Sequence, residues 1–273
     1  MPDDSPRWDA LRYLHFEEER TQPCRDLVRR IALERPGSIV DLGCGPGNST
    51  AVLAARWPDA RLEGVDRSEE MLATARRSGL RATWIAGDVR TWRPEARVDL
   101  VFSNAALQWL PDHPRTLPRI WSWVGAGGAL AFQVPARDPP APPWLEAIEA
   151  VRARPPWAGV AAPAATESSV LSREAYYDLL APAASRIDLW DTTYGHVLEG
   201  PAAIVEWTRT TMLRPWLAAL PSDEARTTYL AELTTELERR VPRRRDGRVV
   251  FPFLRRFVVA YRAAGGAVPR QAL

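Results

Sequence analysis

The chain has 273 residues, 46% of them hydrophobic, and a formal net charge of +2. That length can bury one substantial core without staples, and two cysteines, Cys24 and Cys44, cannot build a disulfide framework, so both are read as small structural residues. The near-neutral balance excludes a broad basic field for nucleic acid, and the polar start PDDSPRWDA with no membrane-length apolar window predicts a cytoplasmic protein that does not engage membranes.

Residues 1–35 read as an N-terminal arm and helix, with Pro23 near a helix start and Leu27, Val28 and Ile31 at helical spacing. A short apolar strand is expected over 38–42. At its exit Gly43, Gly45 and Gly47 remove Cβ atoms where the backbone must turn and approach a ligand, and Asn48 is placed to cap a helix reaching about Ala55. A second strand, 61–65, ends in Asp66, and Ser68 opens a helix over 69–78. A third, 82–86, runs into Gly87, Asp88 and Val89. The fourth, 98–103, ends at Asn104; a helix at 115–124 and a turn marked by Gly125, Gly127 and Gly128 lead to a fifth strand at 129–134.

After Pro135 the composition shifts. Residues 136–170 are rich in Pro and Ala around a short helix at 144–153; a helix at 172–180, a strand at 186–193, helices at 201–212 and 222–240 and a last strand at 249–261 complete the pattern. The run RRVPRRRDGR (239–248) reads as a solvated helix end. All positive side chains are arginine, since the sequence contains no lysine; a GC-rich coding sequence accounts for that in general, while any single arginine in a pocket suits bidentate carboxylate recognition.

Strands alternating with helices predict a doubly wound α/β sheet, whose ligands sit outside the carboxyl ends of the strands. Asp41, Gly43, Gly45 and Gly47, then Asp66, then Asp88 occupy three successive strand ends. A dinucleotide loop would want Gly or Ala where Asn48 stands, so the pattern favours a phosphate-free nucleoside cofactor over NAD. Asp66 can accept from both ribose hydroxyls, and Asp88 from an adenine amino group.

The ordered motifs DLGCGPGN (41–48), GVD (64–66) and GDV (87–89) resemble the class I S-adenosylmethionine (SAM) dependent methyltransferases over about residues 36–135. The segments YLHFEEERTQP (13–23), RWPDARLEGVD (56–66), NAALQWLPDH (104–113), DTTYGHVLEG (191–200) and LRPWL (213–217), with VVFPFLRRFVVAYR (249–262), extend the likeness to the trans-aconitate 2-methyltransferase family along nearly the whole chain. The resemblance implies a seven-stranded, mostly parallel sheet with a helical cap around the sixth strand. It divides the chain into an arm and helix (1–35), a SAM-binding core (36–135), a cap segment (136–185), the sixth strand and its turn (186–200), a helical cap (201–248) closing the substrate pocket, and a closing strand and tail (249–273).

It also implies SAM as cofactor, bound by Asp41 and the backbone of Gly43, Gly45 and Gly47 near the methionine moiety, Asp66 at the ribose, Asp88 with Val89 at the adenine, and Asn104 beside the methionine end. On the acceptor side it points to His15, Trp109, Tyr194, His196, Arg214, Arg255 and Arg256. Arg214 is the first choice as carboxylate clamp, and strand alternation lets only one of Arg255 and Arg256 face inward. The expected partner is a small polycarboxylate such as trans-aconitate, converted to its monomethyl ester; an ionised carboxylate needs no general base, so neither an acid/base residue nor a metal is assigned. Nucleic-acid bases are disfavoured as acceptors because Asn104, Ala105, Ala106 and Leu107 replace the N/D-P-P-aromatic motif. One departure stands out: after Gln133, Val134 and Pro135 the chain reads ARDPPAPPW where the family tends to continue with Asn, then Pro, Ser and His. Methylation of another small molecule, or SAM binding without transfer, are the alternatives.

Overall fold

Short apolar strands alternating with amphipathic helices produce, in chain order, α1 (Glu17–Arg30), β1 (Ser38–Leu42), α2 (Asn48–Arg56), β2 (Arg61–Asp66), α3 (Glu69–Arg77), β3 (Thr83–Ala86), β4 (Val98–Asn104), α4 (His113–Trp121), β5 (Val124–Pro135), α5 (Pro143–Arg152), α6 (Arg173–Leu180), β6 (Arg186–Leu198), α7 (Pro201–Arg209), α8 (Arg214–Ala219), α9 (Asp223–Arg240) and β7 (Val249–Tyr261). This computed structural model describes residues 17–160 and 169–265. The strands form one seven-stranded sheet in the order β3-β2-β1-β4-β5-β7-β6. β1 to β5 run parallel and β7 pairs antiparallel with β5, which makes the sheet doubly wound with its order reversing at β1.

Two compact units share this chain. Residues 17–136, 169–192 and 255–265 form one, and residues 137–160 and 193–254 the other. Each has its own core. In the first, Val40, Leu42, Val101, Leu130, Phe132 and Val134 line one face of the sheet and pack with Tyr176 of α6. In the second, Trp144, Trp207, Phe251 and Phe253 form an aromatic cluster continued by Trp157, Trp216 and Tyr229.

Local chemistry explains several helix ends. Ser68, Ser172 and Ser222 cap α3, α6 and α9, each side chain accepting from the backbone N–H three residues on. α2 departs from expectation: its cap position is Gly47 at φ 98°, and Asn48 is the first helical residue. Pro23 lies inside α1, whose buried Cys24, Leu27 and Val28 hold the helix across the missing N–H. Gly125, Gly127 and Gly128 fall within β5, where the four residues 125–128 stand between the partners of Val98 and Leu100 against the single residue Asp99, so the expected turn is a bulge. β6 extends to Leu198, which puts Tyr194 and His196 in the strand and not after it. Among the described residues no helix is long and apolar enough to cross a membrane.

Candidate active site

The tips of β1, β2, β3 and β4 carry the expected nucleoside-site residues, all in the first unit. Gly43 turns the chain out of β1 at φ +70°, its N–H donating to the Val65 carbonyl at 2.7 Å. A Cβ there would lie 2.2 Å from the Ala106 Cβ, so the loop after β4 touches the loop after β1 where only glycine fits. Gly45 faces open space: nothing lies within 4 Å of where its Cβ would be. The Asp66 carboxylate ties two tips together, accepting from the Gly45 N–H at 2.9 Å and the Ser68 N–H at 2.8 Å. The Gly87 N–H in turn donates to the Asp66 carbonyl, which brings Asp88 beside β2. Arg90 pairs with Asp88 through its side chain and backbone N–H, and holds that carboxyl below the usual carboxylate range. The Val89 carbonyl accepts from Arg119.

Asp41 is fully buried on β1, with Ser49 and Thr50 of α2 each donating to one carboxylate oxygen at 2.7 Å. Burial pushes its pKa up from 3.8 to about 6 against the pull of those hydroxyls, and the Asp66 charge adds to the rise. Burial and the same carboxylates also raise the Cys44 thiol, which stays protonated and inert. Because the folded pKa lies above the unfolded one, the contribution of Asp41 to stability is complete below pH 3.8 and is lost as pH rises through about 6. Wild type should therefore gain about 1.4 kcal/mol relative to Asp41→Asn between pH 8 and pH 5. Urea unfolding of the pair at both pH values checks it, and no change in the gap would refute the raised pKa.

The second oxygen of Asp41 accepts no hydrogen bond from the described residues, and neither do the buried side-chain carbonyls of Gln108 and Gln133. Gln133 spends its amide N–H on the Asn104 Oδ1 at 2.6 Å, and Gln108 donates to the Ala105 carbonyl at 2.6 Å. Ladder pairing places Asp41, Phe102, Asn104 and Gln133 on one face of the sheet. Unsatisfied acceptors and a carboxylate at the strand ends call for a ligand that brings donors and positive charge, and the α-ammonium and sulfonium of SAM supply both.

A methyltransferase-domain family model matches residues 39–128. A trans-aconitate 2-methyltransferase of Azoarcus sp. is 47% identical over 94% of this chain and 100% of its own length, and one of Methylobacterium radiotolerans is 46% identical over 94% and 99%. The chain belongs to the trans-aconitate 2-methyltransferase family. SAM is accordingly the methyl donor. The YcgJ protein of Bacillus subtilis shares this fold at a TM-score of 0.57 and 12% identity, over 89% of this chain and 100% of its own. A Haemonchus contortus phosphoethanolamine N-methyltransferase solved with S-adenosylhomocysteine does so at 0.55 and 16%, over 89% and 52%.

The family's expected acceptor-side residues divide between the two units. Trp109 ends the short 3₁₀ turn Leu107–Trp109 after β4, half-buried. Arg255 pairs with Pro135 across the β5–β7 ladder and so shares the face of Gln133, Asn104 and Asp41. Arg256 pairs with Val134 and takes the opposite face, where it grips Asp191 with two hydrogen bonds of 3.1 and 2.9 Å and donates to the Leu171 carbonyl at 2.8 Å. Arg256 thus holds a buried ion pair on the face of the sheet opposite Asp41 and Asn104. In the second unit Tyr194 stacks on His196, which is buried against Trp207, 4.7 Å between ring centroids, and against Phe251 and Phe253. Arg214 opens α8, half-buried. His15 lies outside the described residues. Arg152, the last residue of α5, escaped the sequence reading although its two buried guanidinium nitrogens are among the unsatisfied donors of this unit.

Proposed function

We propose that this chain transfers the S-methyl group of SAM to a carboxylate oxygen of trans-aconitate, giving the monomethyl ester. Its kinship with curated trans-aconitate 2-methyltransferases, 43 to 47% identical along 94% of the chain, carries the reading. The bound cofactor supplies an electrophilic methyl on a cationic sulfur. Asp66, held by two backbone N–H groups, keeps lone pairs for the ribose hydroxyls, and Asp88, kept ionised by Arg90, with Val89 receives the adenine. Asp41 and Asn104, with the backbone of Gly43, Gly45 and Gly47, hold the methionine end. A carboxylic acid with a pKa of about 4 is already ionised at neutral pH, so this chain has no proton to remove and positions an anion against a cation. Arg255, buried on the face of Asp41 and Asn104, is assigned to the acceptor side, with Trp109 at the β4 exit.

Incubation with methyl-labelled SAM and trans-aconitate should give a base-labile, organic-soluble monomethyl ester. Label passing instead to an uncharged small molecule, with none to trans-aconitate, would replace the acceptor while keeping the cofactor reading.

A further inference from the structure

Most arginines of the second unit are neutralised. Arg154 meets Glu236 at 2.7 Å, Arg240 meets Glu236 at 2.5 Å, Arg209 meets Glu206 at 2.9 Å and Arg243 meets Glu238 at 2.6 Å. Arg152 differs. Among the described residues no carboxylate lies within ion-pair reach of it, and its Nε and Nη2 are shut off from solvent without an acceptor. Its guanidinium stands 4.5 Å from the centre of the Trp216 ring, and the buried Trp216 Nε1 and the buried Tyr229 hydroxyl find no acceptor for their protons. Trp216 and Tyr229 are neighbours, ring centroids 6.0 Å apart. Arg152 sits close enough to Tyr229 that its charge, and hydrogen bonding of its side chain to the phenol oxygen, oppose the rise burial imposes on the phenol.

Four buried donors, Arg152 Nε and Nη2, Trp216 Nε1 and the Tyr229 hydroxyl, thus lie in one cluster that holds no carboxylate among the described residues. A polar group shut off from water without an acceptor costs about 1–3 kcal/mol, and a ring face returns about 1–2 kcal/mol to a cation, so a cluster of such donors favours an anion. Geometry narrows its chemistry. The vacant Nε and Nη2 edge is the edge with which Arg256 grips the two oxygens of Asp191. We infer that Arg152, Trp216 and Tyr229 form a binding site for one carboxylate of a small di- or tricarboxylic acid, Arg152 holding both oxygens and the indole and phenol donating to them. The acid's identity rests on the function proposed above; the existence of the site rests on the unpaired donors alone.

The test uses the full chain with S-adenosylhomocysteine present, and isothermal titration with trans-aconitate. Arg152→Met keeps a stem over Trp216 and should raise Kd by about 30-fold or more, the loss expected when one partner of a buried charge pair is truncated. Arg152→Lys, with charge but no fork, should raise it about tenfold or more. Neither variant should weaken S-adenosylhomocysteine or lower the ligand-free melting temperature, because a purely structural arginine would destabilise when removed, whereas an unoccupied anion clamp does not. An unchanged Kd or KM in Arg152→Met with trans-aconitate still methylated overturns the site and leaves the function standing. If wild type neither binds nor methylates trans-aconitate, the function falls and the site is judged by citrate, tricarballylate and inorganic phosphate. Thermal protection by a carboxylic acid that Arg152→Met abolishes sustains it; protection by phosphate alone, or by none of the three, overturns it.

Discussion

Gly43→Ala is expected to destabilise the protein by about 2–5 kcal/mol, and adding Ala106→Gly should return about 1–3 kcal/mol of that. Two separate costs meet at this position. An L side chain at φ +70° is strained by about 1–2 kcal/mol, and a methyl 2.2 Å from another methyl forces the β1 and β4 loops apart at an overpacking cost of about 1–3 kcal/mol. The second cost has one identifiable source. Beyond the Ala106 Cβ, the next atom facing the added methyl is the Ala106 Cα at 3.7 Å, an ordinary contact. Removing the Ala106 methyl therefore leaves the backbone strain alone, and the double variant should sit about 1–2 kcal/mol below wild type. Chemical unfolding of the three variants decides the matter: a double variant no better than Gly43→Ala would mean that the two loops do not touch. Titration with S-adenosylhomocysteine adds a functional reading, since Gly45 and Asp66 are aligned by the same turn.

The strand tips were legible because their determinants are local. Positive φ at Gly43, Gly45 and Gly47 demands glycine, and an aspartate ending β2 is anchored by N–H groups two residues ahead in its own loop and at Gly45. Features set by distant packing were not readable. Alternation along β7 shows that Arg255 and Arg256 point oppositely, but only the antiparallel register against β5 says which joins the face of Asp41. β6 runs five residues beyond its expected end because His196 and Leu198 are buried in the second unit's own core, something no window around Gly195 reveals. Arg152 stands in the last turn of α5, where a basic residue ordinarily complements the helix C-terminus, so nothing local marks it out. Its place over Trp216, 64 positions later in the chain, is what separates it from that ordinary role.

Arg256→Leu is expected to cost about 3–5 kcal/mol, and Asp191→Leu in the same chain should bring the loss back to about 1–2 kcal/mol. Arg256 is 3% exposed, so its removal leaves the Asp191 carboxylate in a poorly hydrated place with Arg173, 3.7 Å away and half-exposed, as a weak substitute. The Leu171 carbonyl also loses a donor. Replacing both charges by apolar groups removes the stranded carboxylate, which is why the double variant should be the more stable one. The comparison also separates two adjacent arginines by role. If Arg256 only anchors the segment before α6 to β6 and β7, folded Arg256→Leu should methylate trans-aconitate with an unchanged KM, whereas Arg255→Leu, on the face of Asn104 and Gln133, should raise it. A raised KM in both, or in Arg256→Leu alone, would show that the opposite face of the sheet takes part in acceptor binding.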